Sequence, residues 1–157
     1  MPKIDTRALP VRTGTSYPEP YASMLRGRAK QVLGDAVGLT QFGVNLLHLP
    51  PGAVSSQRHW HRSEDEFVIV LSGQVTLEED DGETVLGPHD CAGFPAGRAV
   101  GHRLANRSGA PAVVLEVGTR SQDDVSTYTD PDVDMQAVKS DGSAWRILRK
   151  DGTAYED

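Results

Sequence analysis

A single cysteine, Cys91, stands among the 157 residues, so an internal disulfide is excluded. No apolar run comes near the ~20 residues that a membrane-spanning helix needs. The opening stretch MPKIDTRALPVRTG has no apolar segment of the kind a secretory signal carries. These absences point to the reducing cytoplasm, where unpaired thiols persist. The triplet Asn106-Arg107-Ser108 matches a glycosylation acceptor, a match without meaning in that compartment. Positive charge is also scarce: 16 Lys and Arg against 22 Asp and Glu leave a formal net charge of −6, and the basic residues are scattered. A nucleic-acid partner requires a basic face that displaces counterions from phosphates, and an anionic membrane requires a polybasic segment. Neither partner is expected; a small-molecule ligand is.

Helical periodicity is missing as well. A chain of this length buries an adequate core as one domain. Residues 1–37 read as an extended N-terminal arm leading into a first strand, interrupted by Pro2, Pro10, Pro18 and Pro20. The arm is too short and too irregular for a helix-turn-helix module. Residues 38–120 are short apolar runs bounded by turn signals. Phe42 to Leu49 ends at Pro50-Pro51-Gly52, and Phe67 to Leu71 ends at Ser72-Gly73. Gln74 to Glu78 alternates and meets Asp80-Asp81-Gly82, in which Asp81-Gly82 is a two-residue hairpin signal. Thr84 to Leu86 ends at Gly87-Pro88, and Ala112 to Val117 follows Pro111. Short strands at this spacing predict an all-β fold, an antiparallel barrel or sandwich. Residues 121–157 form a C-terminal extension in which Ala144 to Arg149 reads as a late strand or short helix packing back on the barrel.

The chemistry concentrates in Gly52 to Glu66. Side chains alternate along a strand, so His59 and His61 point the same way, roughly 6–7 Å apart. Two imidazoles at that separation can turn toward one ion, while Trp60 faces the other side. Glu66 follows His61 by five residues, and a turn over Arg62 to Asp65 lets it open the next strand and bring its carboxylate back to the same side. Glu64 and Asp65 are rival acids inside that turn and are expected to face solvent.

The pattern resembles the first motif of the cupin superfamily: a glycine, H-x-H, a glutamate and a closing glycine, filled here by Gly52, His59, His61, Glu66 and Gly73. Gly87, Phe94-Pro95-Ala96-Gly97, His102 and Asn106 are similar to the second motif, with four residues between Gly97 and His102 where the strict pattern has two. The resemblance covers residues 40–119. It implies an antiparallel jelly-roll β-barrel holding one divalent transition metal on His59, His61, Glu66 and His102, with coordination positions left for water or substrate. Nitrogen and oxygen donors suit iron, manganese, nickel, zinc or copper, and the sequence does not choose among them.

Other polar residues are expected elsewhere. His48 reads as a satisfied barrel-wall histidine, His89 as exposed and Cys91 as a small buried hydrophobe. Arg58 and Arg62 read as solvated surface, and Arg98, in the loop before His102, as a substrate contact. A cupin site does not specify a reaction. Small single-domain cupins resemble the mannose-6-phosphate-isomerase-like group, which implies a sugar or sugar-phosphate isomerase. A metal-dependent dioxygenase and a non-enzymatic binding cupin are the alternatives. Phe67, Ile69 and Leu71 alternate with Glu66, Val68 and Val70, so both faces of that strand are mostly apolar. The outer face then needs cover, from the arm or from a partner subunit, and a homodimer is expected.

Overall fold

Strict alternation of side chains around two facing sheets organises the chain. The computed structural model describes residues 3–155. In chain order the strands are β1 (Ala29–Val32), β2 (Phe42–Leu49), β3 (His59–His61), β4 (Glu66–Ser72), β5 (Val75–Glu79) and β6 (Gly82–Leu86). They continue with β7 (Cys91–Phe94), β8 (His102–Ala105), β9 (Ala112–Thr119), β10 (Asp124–Tyr128), β11 (Gln136–Lys139) and β12 (Arg146–Leu148). A five-stranded sheet runs β1-β2-β9-β4-β7 and a seven-stranded sheet runs β12-β11-β10-β3-β8-β5-β6, all pairs antiparallel. This is the jelly-roll barrel expected from the sequence. Among the described residues no helix is long and apolar enough to cross a membrane.

The inner face of the five-stranded sheet changes character along its length. Leu47 pairs with Val114 and Leu49 with Ala112, and these four residues are essentially inaccessible. Further along the same strands Asn45 pairs with Glu116 and Gly43 with Gly118. On β4 the buried Val70 and Val68 give way to Glu66. Together with Val75, Leu77 and Leu104 of the other sheet, the aliphatic set plugs one end of the barrel. The small and polar set leaves the other end open. Burial of the apolar plug supplies the main folding drive, and the switch in residue type fixes where a cavity can exist.

Two motif residues have structural work. Gly73 sits at φ +76, and a Cβ there would lie 2.4 Å from the Pro111 carbonyl oxygen, so only glycine fits between β4 and β5. Asn106 is buried and donates from its Nδ2 to the carbonyls of Leu49 (2.7 Å) and Ala110 (2.8 Å), tying the end of β2 to the turn before β9. His48 bonds Gln31 through Nε2 at 2.9 Å and is the wall histidine expected.

Three expectations need correction. The hairpin loop between β5 and β6 is Asp80-Asp81, because Glu79 pairs with Gly82, so Gly82 opens the return strand. Cys91 is exposed: β7 is an edge strand, and alternation turns Ala92 and Phe94 toward the core and Cys91 outward. Arg58 is not solvated surface. It donates from Nε to Asp130 at 2.8 Å and from Nη1 to the Glu79 carbonyl at 3.1 Å, because three acceptors gather beside β3 once Asp80 is included.

On the outer face of β4, Phe67 and Leu71 are 42% and 45% exposed, with Cys91 beside them on β7. The arm does not cover them: it bridges Arg12 to Lys30 and extends through β1 onto β2. A homodimer formed across this face stays a proposal. Multi-angle light scattering is expected to return twice the 16.9 kDa chain mass, and a mass of one chain would remove it.

Candidate metal centre

His59 and His61 occupy alternate positions of β3, so both imidazoles enter the barrel. His59 lies directly opposite His102 of β8. The seven-stranded sheet thus delivers three histidines. Glu66 comes from the other sheet, where it begins β4 opposite Phe94 and Gly118. The turn over Arg62 to Asp65 carries the chain across the barrel mouth between them, as the spacing requires.

The four groups meet. Glu66 Oε2 lies 3.0 Å from His102 Nε2, 3.7 Å from His61 Nε2 and 3.8 Å from His59 Nε2. Ligand atoms of His59, His61 and Glu66 all fall within 4.8 Å of one another, and His102 joins through Glu66. Asp124 fixes the tautomer of His61: its Oδ2 is 2.6 Å from Nδ1, so Nδ1 carries the proton and Nε2 keeps a lone pair for the centre. His59 is set the same way by the Gln57 carbonyl, 2.9 Å from Nδ1. Three imidazole nitrogens and a carboxylate oxygen aimed at one point, two of them held in the ligating tautomer, fit a divalent transition metal.

Protonation suits the same role. Burial pushes His59 down to about 4, leaving it neutral. Burial also works against protonating His61, but the Asp124 carboxylate outweighs it and holds the group above its ordinary value. Glu66 resists the upward push of burial because His102 and the other imidazoles bring it down to about 2. Asp124 is likewise lowered: the His61 contact and the Ser63 N–H, at 2.7 Å, overcome its burial.

His61 borders a separate narrow crevice, whereas His59, Glu66 and His102 open onto a cavity of about 710 Å³. Its wall includes Tyr17 and Arg28 from the arm, Lys30 from β1, Glu116 from β9 and Lys139 and Trp145 from the C-terminal extension. The Trp145 ring meets His61 edge-on at 5.7 Å and carries Lys139 Nζ at 4.8 Å from its centroid. Glu64 does not face solvent as expected. It turns inward, accepting from Lys139 Nζ and from the Ser121 N–H at 2.9 Å, because the extension brings a buried cation to it. Asp65 is exposed. Arg98 is exposed too and borders a narrow crevice beside His61, Glu66 and Phe94 rather than the large cavity.

A cupin domain model matches residues 45–118. A sugar phosphate isomerase of a cupin superfamily from Silicibacter pomeroyi is 44% identical, with a TM-score of 0.92 over 99% of this chain and 97% of its own. The chain belongs to the cupin superfamily. A provisionally named sugar phosphate isomerase from Acidithiobacillus ferrooxidans is 32% identical to this cupin, with a TM-score of 0.70 over 83% of this chain and 81% of its own. A polyketide cyclase from Streptomyces resistomycificus, at 19% identity and a TM-score of 0.62 over 76% of this chain and 79% of its own, shares the fold. No significant match is found among curated proteins.

Sequence reasoning missed Asp124, Tyr17 and Arg28. Asp124 lies 63 positions from the histidine it orients, with no local motif. Arg28 and Lys30 did carry a signal, two cations at alternate positions at the start of a strand.

Two outcomes follow for the centre. Asp124→Asn is expected to keep the fold by circular dichroism and to weaken metal binding by about 10- to 100-fold, read by equilibrium dialysis with elemental analysis. Unchanged affinity would show that Asp124 does not prepare His61. Protonated His61 cannot ligate, so metal affinity is complete above its raised pKa and falls as pH drops through it, by about tenfold per pH unit. His59, lowered to about 4, enters the competition only in strong acid. Metal retention that stays flat from pH 8 to pH 5 would contradict the His61 assignment.

Proposed function

We propose that this cupin is a divalent-metal-dependent isomerase of a sugar phosphate, in the manner of the mannose-6-phosphate-isomerase-like cupins. The observation that carries the reading is the convergence of His59, His61, His102 and Glu66 beside a roomy polar cavity that three of them line, in a chain so closely similar to a protein named for that activity. When bound, the metal supplies Lewis acidity toward a carbonyl or an adjacent hydroxyl. The chain must supply the rest: a grip on the sugar and a group that moves a proton between neighbouring carbons.

Glu64 and Glu116 are the two further carboxylates on the cavity wall, and each is held by a lysine. Glu64 accepts from Lys139 and from both the backbone and the hydroxyl of Ser121, all at Oε1, so three donors hold it in place. Among the described residues Glu116 pairs with Lys30 alone, at 2.7 Å, and retains capacity to take a proton from carbon. In this reading Glu116 is the proton carrier, with Lys30 placing it. Tyr17 adds a phenol that burial keeps neutral, so it donates a hydrogen bond to a substrate oxygen and does not abstract a proton. Trp145 and the extension restrict water at the mouth.

The test is aldose–ketose interconversion of a panel of sugar phosphates by metal-loaded protein, followed by NMR. Glu116→Gln is expected to retain metal and to lose about 10²- to 10⁴-fold in kcat. A variant with unaltered kcat removes Glu116 from the chemistry. Oxygen consumption by the iron-loaded protein without interconversion would move the assignment to the dioxygenase class. Binding of a small molecule without turnover would move it to a non-enzymatic role.

A further inference from the structure

Charge on the cavity wall is unevenly compensated. The lining holds five cations, Arg28, Lys30, Arg103, Arg120 and Lys139, against three acids, Glu64, Glu66 and Glu116, in a chain of net charge −6. Four of the cations have carboxylate partners. Lys30 pairs with Glu116 and Arg103 with Glu78, both at 2.7 Å, while Arg120 pairs with Asp35 and Lys139 with Glu64. Arg28 differs. Among the described residues it makes one hydrogen bond, from Nη1 to the Ser55 carbonyl at 2.8 Å, and no ion pair within 4.0 Å. A guanidinium has five N–H donors in a rigid fork, and a half-buried one without a counter-charge sits in an unfavourable field unless an anion joins it.

Its position matters as much as its charge. The carbonyl that anchors Arg28 belongs to Ser55, whose neighbour Ser56 places its hydroxyl 3.4 Å from His59 Nδ1. Arg28 shares the cavity wall with Tyr17 and His59; the Tyr17 ring packs 5.4 Å from Tyr128, whose ring is 5.7 Å from the His59 ring. Arg28 is therefore anchored on the His59 side of the cavity that the metal centre shares.

We propose that Arg28 is the oxyanion subsite of the cavity and takes the phosphate of a phosphorylated sugar. The identity of the sugar part rests on the isomerase reading; the anion site does not. A planar fork accepts two oxygens of a phosphate or a carboxylate. A phosphate dianion brings twice the charge of a carboxylate to the one guanidinium that has no carboxylate partner, which favours it.

The experiment is calorimetric titration of the zinc-loaded protein and of its metal-free form with inorganic phosphate, acetate, fructose 6-phosphate and fructose. Arg28→Met and Arg28→Lys accompany the wild type, with zinc content and thermal melting measured for each. Wild type is expected to bind phosphate in both forms and to prefer fructose 6-phosphate to fructose by about tenfold or more. Arg28→Met is expected to lose that preference, and Arg28→Lys to restore part of it because the charge returns without the fork. If Arg28→Met does not fold, the Lys variant decides: undiminished phosphate binding by Lys would refute bidentate recognition. Equal phosphate binding by wild type and Arg28→Met overturns the proposal, as does acetate binding tighter than phosphate. These arms need no turnover, so they remain readable if the isomerase assignment fails. Turnover of sugar phosphates with the same KM in Arg28→Met would sink the subsite and leave the isomerase standing.

Discussion

The carboxylate of Glu66 reaches from one sheet into the imidazoles of the other, and most of what distinguishes this barrel depends on that crossing. A carboxylate flanked by three imidazoles is tolerable only where neighbouring groups favour its charge. The apolar plug of Leu47, Leu49, Val70 and Val114 cannot do so, and Glu66 lies beyond it, where the inner face turns to glycine, asparagine and acid. The open end of the barrel and the clustered site are thus one consequence of a single change in residue type along β2, β4 and β9. Gly118 opposite Glu66, and Gly43 opposite Gly118, contribute no side chain to fill that end.

Strands outside the matched domain then hold the cluster in place. β10 pairs with every residue of β3, and its own first residue, Asp124, carries the carboxylate that sets His61. From there β11 and β12 continue the sheet, and the segment joining them brings Trp145, with Lys139 over its ring, against the same histidine. On the opposite side the arm delivers Tyr17, whose ring packs edge-on against Tyr128 at 5.4 Å, and Arg28. The cavity wall is therefore completed by the two segments that flank the barrel core in sequence.

That division explains what was legible from residues alone. His59, His61 and Glu66 are local: strand alternation and one short turn bring them together, and both signals are written within eight consecutive positions. Phe42 to Leu49 shows its strand through its apolar run, and its bounds agree with β2 residue for residue. His102 was placed by resemblance, and its pairing opposite His59 supplies the physical reason. Asp124, Tyr17 and Arg28 act across long sequence separations, where no period or spacing records the contact. The inward turn of Glu64 belongs to the same class: an acid in a polar turn looks solvated until a buried lysine arrives from 75 residues away. Cys91 misled for a different reason. Its apolar neighbours suggested burial, but on an edge strand alternation leaves every second residue outside.

The three histidines are not equally prepared, and this bears on how the centre would be assembled. His59 and His61 each have an acceptor at Nδ1, so their Nε2 lone pairs already face Glu66. His102 has a buried Nδ1 without a partner, and its Nε2 sits at hydrogen-bond distance from Glu66. Its ring is held instead by stacking on Phe94, with centroids 3.6 Å apart and planes 1° from parallel. Ligation requires His102 to carry its proton on Nδ1, where no acceptor among the described residues stabilises it, and to give up its contact with the carboxylate. Stacking orients a ring but does not choose a tautomer. His59 and His61 are therefore the preorganised pair on which affinity rests, Glu66 is the charge that both sheets share, and His102 is the ligand whose recruitment costs the most.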